Sequence, residues 1–144
     1  MATPIITFKG NCKEAMSFYQ TVFRTEIKSS ISYGKYVPEG IETPPEDLRD
    51  WIMHAEMEIC NTIFRFADEP ELISCENMEK LTVNVATAKL GQEYFDILKV
   101  DGNIRLPPTE TYKSNFHAVV IDKYGVYWNI VSEEASTINI EHFS

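Results

Sequence analysis

The chain has 144 residues, 44% hydrophobic and 24% charged, the composition of an ordinary globular domain. Its 13 basic and 22 acidic residues give a formal charge of −9, which repels phosphate backbones and anionic membrane surfaces, so neither nucleic acid nor membrane is an expected partner. No apolar run approaches the ~18 residues of a membrane span, and Met1-Ala2-Thr3-Pro4 has neither the charged nor the apolar part of a secretory signal.

The first helix is the clearest element. Asn11 followed by Glu14 has capping-box spacing, and Ala15, Phe18, Tyr19 and Val22 fall on one helical face, which predicts a helix ending near Phe23. Before it, Ile5-Ile6-Thr7-Phe8 reads as a strand. After it, 25–33 has strand composition, and 36–50 reads as an exposed loop because prolines and acidic residues break any period. Residues 51–60 alternate, with Met53, Ala55, Met57 and Ile59 on one side and His54, Glu56 and Glu58 on the other. Residues 61–67 do the same, Phe64 and Phe66 opposing Ile63 and Arg65. The acidic stretch 68–79 reads as a join.

From Leu81 the pattern starts again. Leu81-Thr82-Val83-Asn84-Val85 is a strand, Thr87 caps a helix through Leu98, and Asp101-Gly102 stops it. Residues 103–106 and 117–121 read as strands separated by a loop with Pro107-Pro108. A turn follows at Asp122-Lys123-Tyr124-Gly125, then a last strand over 126–132. The aromatic pairs Phe18-Tyr19 and Tyr94-Phe95 lie about 76 residues apart, the mark of an internal duplication of one supersecondary unit. The expectation is one α+β domain over 1–144. It comprises module one at about 4–67, a linker at about 68–79, module two at about 80–133 and a tail at 134–144. Each module is βαβββ, and the two form a cupped mixed sheet with the helices on the convex side. Three cysteines, Cys12, Cys60 and Cys75, imply neither a disulfide framework nor a zinc knuckle, and a reducing cytoplasm is the expected setting.

Three motifs in order carry a family likeness. Phe8-Lys9-Gly10-Asn11-Cys12-Lys13-Glu14-Ala15-Met16-Ser17-Phe18-Tyr19 with Val22-Phe23, then Trp51-Ile52-Met53-His54-Ala55-Glu56, then Asp122-Lys123-Tyr124-Gly125-Val126-Tyr127-Trp128, resemble the PhnB-like branch of the vicinal oxygen chelate superfamily. That group is related to glyoxalase I and the bleomycin-resistance proteins. The resemblance implies paired βαβββ modules, a cavity on the concave face and a homodimer. It also implies a divalent metal held by His, Glu or Asp from the first and last strands of both modules. Those positions fall here near Pro4, Arg65, Lys80 and Asn129, none a usual metal ligand, so no metal and no cofactor are expected. Proteins of this branch also carry a ubiquinone-pathway methyltransferase label. Nucleotide-type cofactors on α/β sheets use a glycine-rich turn, whereas Gly10, Gly34, Gly40, Gly91, Gly102 and Gly125 never cluster.

With the apolar strand faces against the helices, His54, Glu56, Arg65, Thr82, Asn84 and Asn129 point into the cavity, with aromatic walls from Phe8, Trp51 and Tyr127. Arg65 and His54 beside Glu56 can grip a small anion or act as an acid and base pair. Two other readings stand beside this: Glu56 and Arg65 as a cross-strand ion pair with His54 a structural histidine, or a metal site around His54 and Glu56. His117 has no obvious partner and reads as a strand-end residue. The function expected is binding of a small organic molecule by a cytoplasmic homodimer. The alternative is a metal-dependent enzyme of the glyoxalase, dioxygenase or thiol-transferase kind around His54 and Glu56.

Overall fold

The computed structural model describes residues 4–35, 48–69 and 80–138. The chain divides between residues 75 and 76 into two compact units, each taken on its own. Unit one holds β1 (Ile5–Phe8), α1 (Cys12–Phe23), β2 (Ile27–Ser32), β3 (Ile52–Ile59) and β4 (Thr62–Asp68). Unit two holds β5 (Leu81–Val85), α2 (Ala88–Leu98), β6 (Asn103–Thr109), β7 (His117–Ile121) and β8 (Tyr127–Ser132). The sheets have the same topology, β1-β4-β3-β2 and β5-β8-β7-β6, with one parallel pair, β1/β4 or β5/β8, in each. The expected loop at 36–50 falls on the described residues only at its end, and most of the expected join, 70–79, lies outside them.

In unit one the buried stripe of α1 runs Cys12, Ala15, Met16, Tyr19, Val22 and Phe23, at helical spacing. Tyr19 meets Phe66 of β4 at 6.0 Å between ring centroids, which fixes the face of the sheet that α1 covers. Ile6 pairs with Phe66 in the parallel ladder and shares that face, as do the buried Ala55 and Met57 of β3. In unit two, α2 lies over the face that carries Val85, since a Cβ built on Gly91 would meet Phe116 at 2.9 Å and Val85 at 3.2 Å. Leu98, Val83, Trp128 and Ile130 fill that core.

Several local expectations change in the structure. Asn11 makes no side-chain cap to α1. The buried carboxylate of Asp68 does that work, accepting from Gly10 N at 2.7 Å and Cys12 N at 3.0 Å, and from Ile52 N at 2.9 Å through its other oxygen. A charged acceptor delivered by the adjacent parallel strand outcompetes a neutral local one. Asp68, the expected first residue of the join, is therefore the last of β4 and 0% exposed. Met53 leaves the buried row of β3. Ile31 stands opposite His54 and Ser32 opposite Ile52, so Met53 is the extra residue of a bulge and Ile52 takes the buried position. Pro107 and Pro108 belong to β6 and not to a loop, an edge strand whose ladder to β7 is irregular between Leu106 and Thr109, where the two prolines fall. The described part of the expected tail is bonded to its own unit: Glu134 accepts from Ala88 N at 2.8 Å, and Glu110 accepts from the Thr137 hydroxyl at 2.6 Å.

Candidate functional site

Alternation on the central strands decides which side chains leave the helix-covered face. In unit one these are Ile5 and Thr7 of β1, Arg65 of β4, and His54 and Glu56 of β3. Arg65 and Glu56 are Cα partners, with Nε to Oε2 at 3.7 Å, and His54 Nε2 lies 3.7 Å from the same Glu56 oxygen. The three side chains are 48%, 33% and 43% exposed for Arg65, Glu56 and His54, so the row is partly open to solvent. Trp51 sits just before β3 with its ring against Gly10, where a Cβ would come within 2.8 Å.

In unit two the same face carries Thr82 and Asn84 of β5, Tyr127, Asn129 and Val131 of β8, and His117 and Val119 of β7. Asn129 is the centre of the row. Its Nδ2 donates to Thr82 Oγ1 at 3.0 Å, and its Oδ1 lies 2.6 Å from His117 Nε2.

Register relates the two rows position by position. Arg65 pairs with Ile5 and Glu56, while Asn129 pairs with Thr82 and Val119. His54 precedes Glu56 by two residues and His117 precedes Val119 by two, so the histidines occupy equivalent places. His117 therefore has a partner that the sequence reading did not assign. The signal for it is the repeated His54-Ala55 and His117-Ala118, each alanine 0% exposed against its own helix. Phe8 departs from its expected role as a cavity wall. It is 4% exposed and shares the α1 side with Ile6, because β1 alternates from Ile5 outward.

The pairings also test the metal and cofactor positions. Ile5 and Thr82, not Pro4 and Lys80, are the first-strand residues beside Arg65 and Asn129. Neither pair fits a divalent ion: Ile5 has no donor atom, Arg65 is a cation, and the Asn129 amide is engaged by Thr82 and His117. Among the described residues no three His, Cys, Asp or Glu side chains are grouped to hold a metal. The turn after β1 is likewise closed to an anionic cofactor group. Gly10 has the positive φ of such a turn, +98°, but Trp51 covers it and Asp68 occupies the helix amides.

Two βαβββ units with polar rows on their helix-free faces make this an α+β protein of the glyoxalase/bleomycin-resistance fold. The profile of the 3-demethylubiquinone-9 3-methyltransferase family matches residues 1–131, and the chain belongs to that PhnB-like family. It is 27% identical over 141 residues to protein YjdN of Escherichia coli, covering 92% of this chain and 96% of YjdN. Among solved structures it is similar to protein PA1353 from Pseudomonas aeruginosa, with a TM-score of 0.77 and 23% identity over 93% of this chain and 98% of that one. It is also similar to a putative 3-demethylubiquinone-9 3-methyltransferase, PhnB protein, from Bacillus cereus, with a TM-score of 0.70 and 25% identity over 91% and 98%. Among the described residues no helix is long and apolar enough to cross a membrane.

Proposed function

We propose that this protein binds a small organic molecule bearing an anionic group, using the helix-free faces of its sheets and no superfamily metal. Arg65 is the observation that carries the reading. Its guanidinium is half exposed on a central strand and meets Glu56 only at 3.7 Å, so its remaining donors have no protein partner among the described residues. A planar fork in that state suits a carboxylate or phosphate group. In the same unit His54 and Glu56 flank it and Trp51 offers a ring surface; on its own face unit two offers the Tyr127 ring and the neutral hydrogen-bonding groups of Thr82, Asn84 and Asn129. The protein works as a cytoplasmic homodimer in this reading. Each sheet ends in edge strands whose unpaired backbone groups a second copy can cover.

A thermal-shift screen over organic acids and phosphate esters tests the proposal, because a ligand that binds only the native state raises the midpoint. Acids that stabilise the wild type should lose that effect in Arg65→Ala. A broad panel with no stabilising member would sink the reading. The second reading, a metal-dependent enzyme, draws on the 3.7 Å approach of His54 to Glu56. Stoichiometric Mn, Fe, Ni or Zn that vanishes in both His54→Ala and Glu56→Ala would favour it.

A further inference from the structure

Thr82, Asn129 and His117 form a hydrogen-bonded row. Asn129 Nδ2 donates to Thr82 Oγ1 at 3.0 Å, and the amide oxygen lies 2.6 Å from His117 Nε2. An amide oxygen only accepts, so Nε2 carries the hydrogen, and a neutral imidazole then has a bare lone pair on Nδ1. Nδ1 has no hydrogen-bond partner among the described residues. The alternating side chains on this face of β5, β7 and β8, namely Thr82, Asn84, His117, Val119, Ile121, Tyr127, Asn129 and Val131, include no Asp, Glu, Lys or Arg.

We propose that Thr82 and Asn129 hold His117 in its Nε2–H tautomer so that Nδ1 accepts a hydrogen bond from a neutral hydroxyl or N–H group of the ligand. This rests on the small-molecule reading and concerns only what the row of unit two would recognise. Asn129 is a positioning residue, and His117 touches the ligand. A hydroxylated ring can donate to this acceptor while resting on Val131, the cross-strand partner of His117.

Long-range 1H–15N correlation spectra of labelled protein at pH 8 read the tautomer directly. Nδ1 of His117 should resonate as an unprotonated nitrogen and Nε2 as a protonated one, and Asn129→Leu should give a mixture. Phenol and anisole then serve as probes of nearly equal shape, only the first able to donate. Phenol should move the Nδ1 resonance and bind about fivefold more tightly than anisole, the worth of one net hydrogen bond. His117→Gln retains a donor toward Asn129 and should keep the folded spectrum while abolishing the phenol preference. An Nδ1–H tautomer in the wild type, equal responses to phenol and anisole, or no response to either would overturn the proposal. Each of those results leaves Arg65-dependent stabilisation by organic acids as a separate measurement, so the two readings fail independently.

Discussion

Asp68 accepts the backbone amide of Cys12 at 3.0 Å, joining residues 56 positions apart in the sequence. The same carboxylate holds Gly10 N and Ile52 N, so one side chain fixes the β1–α1 turn, the first turn of the helix and the entry to β3. Unit two solves the same problem differently. Thr87 caps Leu90 N at 3.1 Å and Glu134 takes Ala88 N.

Removing the Asp68 carboxylate strands three amide donors, two of them in buried bonds. Asp68→Ala should lower stability by about 3 kcal/mol or more, since each unmatched buried donor costs ~1–3 kcal/mol. Urea unfolding checks this, and a loss under about 1 kcal/mol would show that water replaces the carboxylate.

Gly91 sets two effects against each other. Alanine in a helix interior is favoured over glycine by ~0.5–1 kcal/mol, but the added Cβ would sit 2.9 Å from the Phe116 ring and 3.2 Å from Val85. Overpacking of that kind costs ~1–3 kcal/mol, so Gly91→Ala should be net destabilising by about 1 kcal/mol. A variant of raised midpoint would mean that Phe116 moves aside freely.

The carboxylates of the C-terminal region predict an acid-sensitive tail. Glu110 lies below its ordinary value of 4.5, first through the Thr137 hydroxyl and then through the Thr137 amide, and Glu134 is lowered by Ala88 N and Asn115. A depressed folded value contributes stability that is complete above pH 4.5 and disappears as pH falls through the lower folded value. Amide exchange of Thr137 and Ala88 should stay protected at pH 5 and lose protection as the pH falls below 4.5. Glu110→Gln should weaken the Thr137 protection at every pH.

The thiols Cys12 and Cys60 should be inert at neutral pH. Burial pushes Cys60 up to about 11, and burial followed by the nearby Asp68 charge raises Cys12 further. A thiolate is the reactive form, so iodoacetamide at pH 7.5 should label neither appreciably in the folded protein, as read by peptide mapping. Rapid modification of Cys60 would contradict its burial.

The duplicated βαβββ order, the strand alternation and most element positions are legible in the sequence because local period and turn chemistry encode them. Gly125 at φ +85° and the Cys60-Asn61 turn, with both φ values positive, are of that local kind. What escapes is long-range. Asn11 has the spacing of a cap, yet Asp68 wins the helix amides through a parallel pairing that no local pattern reveals. The Met53 bulge depends on the register of β2, and His117 finds Asn129 only once β7 and β8 align. The row of His54, Glu56 and Arg65 was readable, since alternation fixes the face of each and the Glu56/Arg65 pairing follows from one short hairpin.

The most direct test titrates the most strongly stabilising acid from the panel into wild type, Arg65→Lys and Arg65→Ala by calorimetry. A bidentate guanidinium grip predicts binding at least about tenfold weaker in Arg65→Ala, with Arg65→Lys between, a loss of ~1.4 kcal/mol or more. Equal affinity in all three proteins would contradict the assignment of this face as the ligand site.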